Sequence, residues 1–307
     1  MSLQSKKKQK EVLPMNKIKI HDTFYWLDKN IINIETVIEK PDFLVKFYPL
    51  NENAVDCLIN SYFYAAHPWE VNDPYEMFTH PNEGLIINRQ EFTKICMQNG
   101  IVSMSHPINL FHPLMWAHYS NHCGYVILFD YQTIISKYHG PFPMNYMNKY
   151  LTSNEIDEFR NEDLLLRMAF LATLKHDVWK YENEWRFISY TTLDIYKQPE
   201  YLGLNPEYLG IDKEMMIDRK MKYELRGIKQ ILLGPKFSTE EPDIEFDKNT
   251  IWLKTENILK SKILDFIIMK KIKCSFLSFN NINNFGFGDL PVSISKENNT
   301  YIIQKLS

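Results

Sequence analysis

The pattern of apolar and polar positions divides most of the chain into short elements. Leu44–Tyr48 reads as a strand that Pro49 breaks, and Asn51 is placed to cap a helix running through Cys57 to Asn60. Tyr62–Ala65 reads as a second strand, and the two prolines of 67–76 mark a turn-rich loop. Asn88 can cap a helix that Gly100 closes, and Ile101–Ser105 follows as a strand. Pro113 opens about two helical turns over Leu114–His122, before Gly124 and a strand over Tyr125–Asp130. Ile156, Phe159, Leu164–Leu166, Met168, Phe170, Leu171 and Leu174 recur at helical spacing, which predicts the longest helix over 155–176. From Trp179 to Tyr190 the period falls to two, with Trp185 and Phe187 on one face and Glu182, Glu184 and Arg186 on the other. Ile228–Leu233 reads as a buried strand closed by Gly234, Thr255–Phe266 as a helix and Lys273–Phe279 as a late strand.

Strands and helices alternate here without Gly-rich βα turns. This predicts an α+β fold, a single mixed sheet with packed helices, rather than a doubly wound parallel sheet. The expected division is a lead segment over 1–43, in which 23–40 forms a short helix or a strand pair, a core domain over 44–280 and a C-terminal tail over 281–307.

Composition narrows the function classes. The 307 residues include 19 Phe, 18 Tyr and 6 Trp, enough apolar surface for a folded core, but only 10 Gly, and no Gly-rich phosphate cradle is present. Formal net charge is −3, and Lys6, Lys7, Lys8 and Lys10 at the start leave the rest more acidic. A broad nucleic-acid-binding face is therefore not indicated. Cys57, Cys96, Cys123 and Cys274 lack C-x-x-C spacing, which reads as reduced thiols, and no apolar run approaches the ~20 residues needed to cross a bilayer. A cytoplasmic protein away from membranes is the expectation.

Four segments carry candidate chemistry. His118 and His122 stand at i, i+4, a spacing that suits a metal, but no H-E-x-x-H glutamate accompanies them and no metal site is assigned. His118 with Tyr119 forms a better ligand-facing pair, since imidazole and phenol both donate to an anion or carbonyl. Glu182, Glu184 and Arg186 on one strand face let the arginine keep one carboxylate ionised while the other does acid–base or hydroxyl-binding work; a salt-bridge row is the alternative. Asn72 and Asp73 lie in an Asn-Asp-Pro turn, and Ser103 and Ser105 point to one side of a short strand.

In order, Asn72-Asp73-Pro74-Tyr75-Glu76, Ser103-Met104-Ser105, Leu114-Met115-Trp116-Ala117-His118-Tyr119 with Gly124 and Phe129-Asp130, Lys175 with Trp179-Lys180-Tyr181-Glu182-Asn183-Glu184-Trp185-Arg186, and Ile231-Leu232-Leu233-Gly234 resemble the bacterial domain-of-unknown-function 2971 family over roughly 44–280. That resemblance implies a common polar site and no particular reaction. The layout is also loosely similar to the ADP-ribosyltransferase arrangement, in which a basic first-strand residue, a Ser-x-Ser strand and a Glu-x-Glu strand surround NAD. Lys46, Ser103 with Ser105, and Glu182 with Glu184 would take those places. Lys46 supplies charge without the bidentate fork of an arginine. The resemblance implies a nucleotide-handling enzyme with NAD as substrate: Glu184 acting at the ribose, Glu182 supporting it, His118 and Tyr119 holding base or phosphate, and Arg186 tuning the carboxylates. The alternative is a non-catalytic binding or regulatory module in a defence or stress context.

Overall fold

The computed structural model describes residues 17–20, 22–28, 31–67, 71, 99–135, 139–149, 151–160, 162–190, 219–238, 243–247, 249–280 and 286–306. Its elements, in chain order, are β1 (Ile18–Ile20), β2 (Thr23–Asp28), β3 (Ile31–Thr36), β4 (Phe43–Tyr48), α1 (Glu52–Ile59), β5 (Tyr62–Tyr64), β6 (Asn99–Ser105), α2 (Pro113–Ser120), β7 (Tyr125–Asp130), α3 (Tyr131–Ile135), β8 (His139–Pro143) and β9 (Asn145–Met147). They continue with α4 (Ser153–Arg160), α5 (Leu164–Ala172), β10 (Leu174–His176), β11 (Glu184–Tyr190), β12 (Lys220–Lys222), β13 (Ile228–Leu233), β14 (Asp243–Phe246), β15 (Thr250–Lys254), α6 (Ile258–Lys270), β16 (Cys274–Asn280), β17 (Gly286–Glu297) and β18 (Thr300–Lys305).

A mixed sheet of eleven strands forms the body, in the order β14-β15-β18-β17-β16-β13-β7-β4-β6-β11-β8. Its pairs are antiparallel except β13 with β16, which run parallel because α6 crosses back between β15 and β16. The expected mixed sheet with packed helices is therefore present, but it is not single: β1-β2-β3, β9-β10 and β5-β12 form three small sheets of their own. One face is buried under α1 and α6, where Val55 and Leu58 meet Phe63, Ile231, Ile263 and Ile267. The opposite face is covered in two places: by α5 and the β1–β3 ribbon, around Tyr25, Phe159 and Phe170, and by α2, around Trp116, Val126 and Leu232.

Local chemistry explains where the elements begin and end. Asn51 Oδ1 accepts from Ala54 N at 2.8 Å and starts α1, as its position before Glu52 suggests. The predicted long helix over 155–176 is instead two helices. Asp163 Oδ1 accepts from Leu165 N at 2.8 Å, so the aspartate caps a new helix and interrupts the apolar period. The longest helix among the described residues is α6, capped by Asn257 through Leu259 N and Lys260 N. The 23–40 segment resolves into β2 and β3, and the stretch after 285, expected to be a tail, returns as β17 and β18 inside the large sheet. Gly100 lies in β6 rather than closing a helix, and the helix expected after Asn88 falls outside the described residues.

Candidate functional site

Strand β6 changes neighbours along its length. Val45 of β4 pairs with Ser105, while Ile101 is bridged to Ala66. Near the change, a cavity of about 190 Å3 is lined by Lys46, Ser103, Ser105, Tyr119, Lys175, Glu182, Glu184 and Arg186, with Val45, Phe47, Ala66, Val71, Met104 and Met115 as apolar wall. Seven of the ten residues expected from the sequence, Lys46, Ser103, Ser105, Tyr119, Glu182, Glu184 and Arg186, thus converge. Asn72 and Asp73 fall outside the described residues. His118 is exposed on α2 and does not line the cavity, although Tyr119 beside it does.

The two glutamates arrive by different routes. Glu184 opens β11, opposite Ser105 across the ladder, and Arg186 lies opposite Ser103. Glu182 is not on the strand, as the period-two reading predicts, but ends a 3-10 turn over Asp177–Glu182. His176 Nδ1 accepts from Val178 N to start that turn, and Asn183, at φ 41°, ends it in the left-handed region that asparagine tolerates. The turn aims Glu182 back at the strand. Asn109 reinforces it by donating to the Glu182 carbonyl and accepting from Asn183 Nδ2 at 3.2 Å.

Four buried charges form a closed set. Lys175 Nζ donates to Glu182 Oε2 at 2.7 Å and to Glu184 Oε2 at 2.8 Å. Arg186 Nε donates to Glu184 Oε1 at 2.7 Å, and its Nη1 donates to Ala172 O at 2.8 Å. Tyr119 Oη donates to Glu182 Oε1 at 2.5 Å, and the Glu184 backbone N–H donates to Tyr146 Oη at 2.9 Å. Burial alone raises a carboxylate, but beside Glu184 the charges of Arg186 and Lys175 outweigh it and hold the group at about 2. For Glu182 burial prevails over the attraction of Lys175, and the nearby Glu184 charge adds to it, so its pKa is raised. Environment has pushed two neighbouring carboxylates in opposite directions. Burial and the Glu182 charge also raise the Tyr119 phenol, which therefore stays a donor at neutral pH.

Lys46 stands apart from this set. It is half-buried on β4, and its Nζ donates to Ser103 O at 2.9 Å. Two cations and two carboxylates balance around Lys175, so Lys46 leaves the cavity with excess positive charge among the described residues.

Three groups here carry no expected role from the sequence, although Lys175 and Met115 stand in the segments singled out for chemistry. Lys175 bridges both glutamates, and its signal, a lysine between Leu174 and His176 on a three-residue strand, is no different from that of a surface lysine. Met115 precedes Tyr119 by four positions on α2, so helical spacing alone could have placed both on the cavity face. Tyr146 carries no local signal. Two further residues of these segments do not line the cavity. His122, at φ 59°, follows the left-handed Asn121 beyond the end of α2 and is no longer an i, i+4 partner of His118. Trp116 is a core anchor, donating from Nε1 to Leu110 O at 2.7 Å and standing edge-on to Phe47. Among the described residues no group of three or more His, Cys, Asp or Glu side chains is placed to hold a metal, and no helix is long and apolar enough to cross a membrane.

No curated protein and no solved structure matches the chain significantly. The model of a family of proteins of unknown function, DUF2971, matches residues 115–187. This span runs from Met115 and Tyr119 to Lys175, Glu182, Glu184 and Arg186, so the chain is similar to the DUF2971 proteins over the segment that carries its buried charges.

Proposed function

We propose that the cavity binds the ribose-phosphate portion of an NAD-type nucleotide and that the chain is a nucleotide-handling enzyme. The observation that carries this reading is the charge balance: four buried charges cancel, and Lys46 adds a cation suited to an anionic group. A volume of about 190 Å3 falls below the roughly 300–1,000 Å3 of pockets that enclose drug-sized ligands. One ribose with its phosphate fits that scale better than a whole dinucleotide, the remainder of which lies across the mouth. Ser103 and Ser105 supply hydroxyls beside Lys46, and Glu182 and the oxygen of Tyr119, whose proton is given to Glu182, offer acceptors to ribose hydroxyls.

The geometry favours Glu182 over Glu184 for the chemical role. Glu184 is already neutralised by Arg186 and Lys175, and it serves to orient Lys175. Glu182 keeps the raised carboxyl and can accept a ribose hydroxyl while positive charge develops at the anomeric carbon. The test is incubation of the purified chain with NAD, with nicotinamide release followed by chromatography. Release that falls at least a hundredfold in Glu182→Gln supports the reading. Absence of release, together with no calorimetric binding of NAD, AMP or ribose 5-phosphate, overturns it.

The full engagement of Glu184 favours a second reading, a non-catalytic binding module that holds the same ligand. Binding of a nucleotide without nicotinamide release would identify it.

A further inference from the structure

Two lysines line the cavity, and their partners differ in kind. Lys175 Nζ donates to two carboxylates, at 2.7 and 2.8 Å. Its partners are two buried carboxylates, so both of its contacts are ion pairs. Lys46 Nζ instead meets the backbone carbonyl of Ser103 at 2.9 Å, its one hydrogen bond among the described residues. A carbonyl is a neutral acceptor, and it takes an N–H from an amine as well as from an ammonium, though the amine's bond is the weaker. Lys46 can therefore lose a proton without breaking its anchor, and the freed lone pair then stands on a nitrogen at the cavity wall.

We propose that Lys46 is an amine nucleophile, a site at which small aldehydes condense to an imine. The inference does not depend on the nucleotide reading, since it concerns the amine and its surroundings alone.

The surrounding charges are compatible with that role. Burial disfavours the Lys46 ammonium and outweighs the pull of Cys57 from α1 and Glu184 from β11, bringing the group down to about 8. Tyr48, on its own strand, faces Nζ with its ring centroid 5.6 Å away. Across the cavity, Lys175 of β10 and Arg186 of β11 are cations, Glu182 of the 3-10 turn is the second carboxylate, and Tyr119 of α2 is a neutral phenol. In the reaction, the Lys46 lone pair forms a C–N bond to the aldehyde carbon, and the ammonium proton passes to the former carbonyl oxygen, giving a carbinolamine. The C–O bond then breaks as nitrogen forms C=N, and the oxygen takes a further proton and leaves as water. The protonated imine that results returns that proton, so amine and aldehyde become imine and water with no change of oxidation state. Glu182, with its raised carboxyl in the same cavity, is the group suited to lend and recover the proton.

Reductive methylation of the full chain with limiting formaldehyde and cyanoborohydride tests this, with each lysine followed by peptide mass spectrometry. At pH 7 a group titrating at about 8 is roughly one-tenth free amine, against less than about one-thousandth for an ordinary lysine. Allowing for restricted access, Lys46 is expected to react about tenfold faster than the exposed Lys254 and Lys271. The advantage should shrink as pH rises through 8 toward 10 and vanish in denaturant. Lys46→Arg keeps the charge, and should abolish the fast site while leaving the other lysines at their wild-type rates. Modification of Lys46 in the native wild-type chain no faster than Lys254 and Lys271, or a fast site that maps elsewhere, overturns the proposal.

Discussion

Arg186 grips Glu184 through two nitrogens, Nε to Oε1 at 2.7 Å and Nη2 to Oε2 at 3.1 Å, with both side chains buried. The pair lies two positions apart on β11, so both side chains project from one face of the strand, and the arginine fork closes on its own neighbour. Placing these ions in the interior costs desolvation energy that apolar residues of similar size would avoid. The cluster therefore lines the cavity at a cost to the fold that its own ion pairs must offset.

Removing one member should expose that cost. Arg186→Met leaves Glu184 dependent on Lys175 and is expected to lower unfolding free energy by about 3–5 kcal/mol. Arg186→Lys keeps the charge but loses the fork, and should recover only part of it. Urea unfolding monitored by circular dichroism decides the matter, and a loss below about 1 kcal/mol in Arg186→Met would mean that the fork contributes little.

The depressed Glu184 also predicts a pH dependence. Its folded pKa, at about 2, lies below the ordinary glutamate value of about 4.3. The stability it contributes is therefore fully present above about 4.3 and is lost as pH falls from there through about 2. Glu182 has the opposite sign: its raised folded pKa makes the ionised form costly at neutral pH, and protonation relieves that cost. Urea midpoints of wild type and Glu184→Gln, compared between pH 5 and pH 2.5, should converge as the pH falls. Parallel profiles over that interval would show that Glu184 is not the group responsible.

The strands that can be read from the sequence are those with an uninterrupted apolar pattern between turn residues. Tyr125–Asp130 and Ile228–Leu233 lie where that pattern puts them, because each is central in the sheet and buried on both faces. The pattern misleads where a single polar side chain redirects the backbone. Asp163 caps a helix inside an apolar run, and Asn183 turns the chain so that Glu182 reaches Lys175 from outside the strand. The site is legible to the extent that its members share an element: Ser103 with Ser105, and Glu184 with Arg186. Lys175 and Tyr146 join it only through the pairing of β9 with β10, a contact set by tertiary packing that no local spacing encodes.

Tyr119 ties α2 to the charged set through one hydrogen bond to Glu182. Tyr119→Phe keeps the ring and removes the donor, and is expected to cost about 1.5–3 kcal/mol, the range for a bond to a charged group. It should also raise the Glu182 carboxyl further, since a donor to the ionised form is lost. His118→Ala, on the exposed neighbour, is the control and should stay within about 0.5 kcal/mol of wild type. Equal effects from the two substitutions would remove Tyr119 from the site.

The position of Lys46 depends on a close approach farther along its strand. A Cβ added at Gly124 would lie 2.0 Å from Tyr48 O and 3.1 Å from Pro49 Cα, both backbone atoms at the end of β4. Gly124 O also accepts from Gly234 N at 2.9 Å, and a Cβ at Gly234 would meet His122 O at 2.2 Å, so neither neighbour can yield by rotating a side chain. Gly124→Ala must push β4 away from β7, where Tyr48 pairs with Tyr125 and Lys46 with Ile127. It is expected to cost at least about 1–3 kcal/mol, as overpacking does, and to weaken the reach of Lys46 to Ser103. Gly227→Ala makes a sharp comparison, because its nearest obstacle is the Thr133 side-chain methyl at 3.1 Å. If the spacing of β4 controls the amine, Gly124→Ala should change the methylation rate of Lys46 while Gly227→Ala leaves it unchanged. Identical Lys46 rates in a folded Gly124→Ala chain and the wild type would separate the amine from the strand spacing.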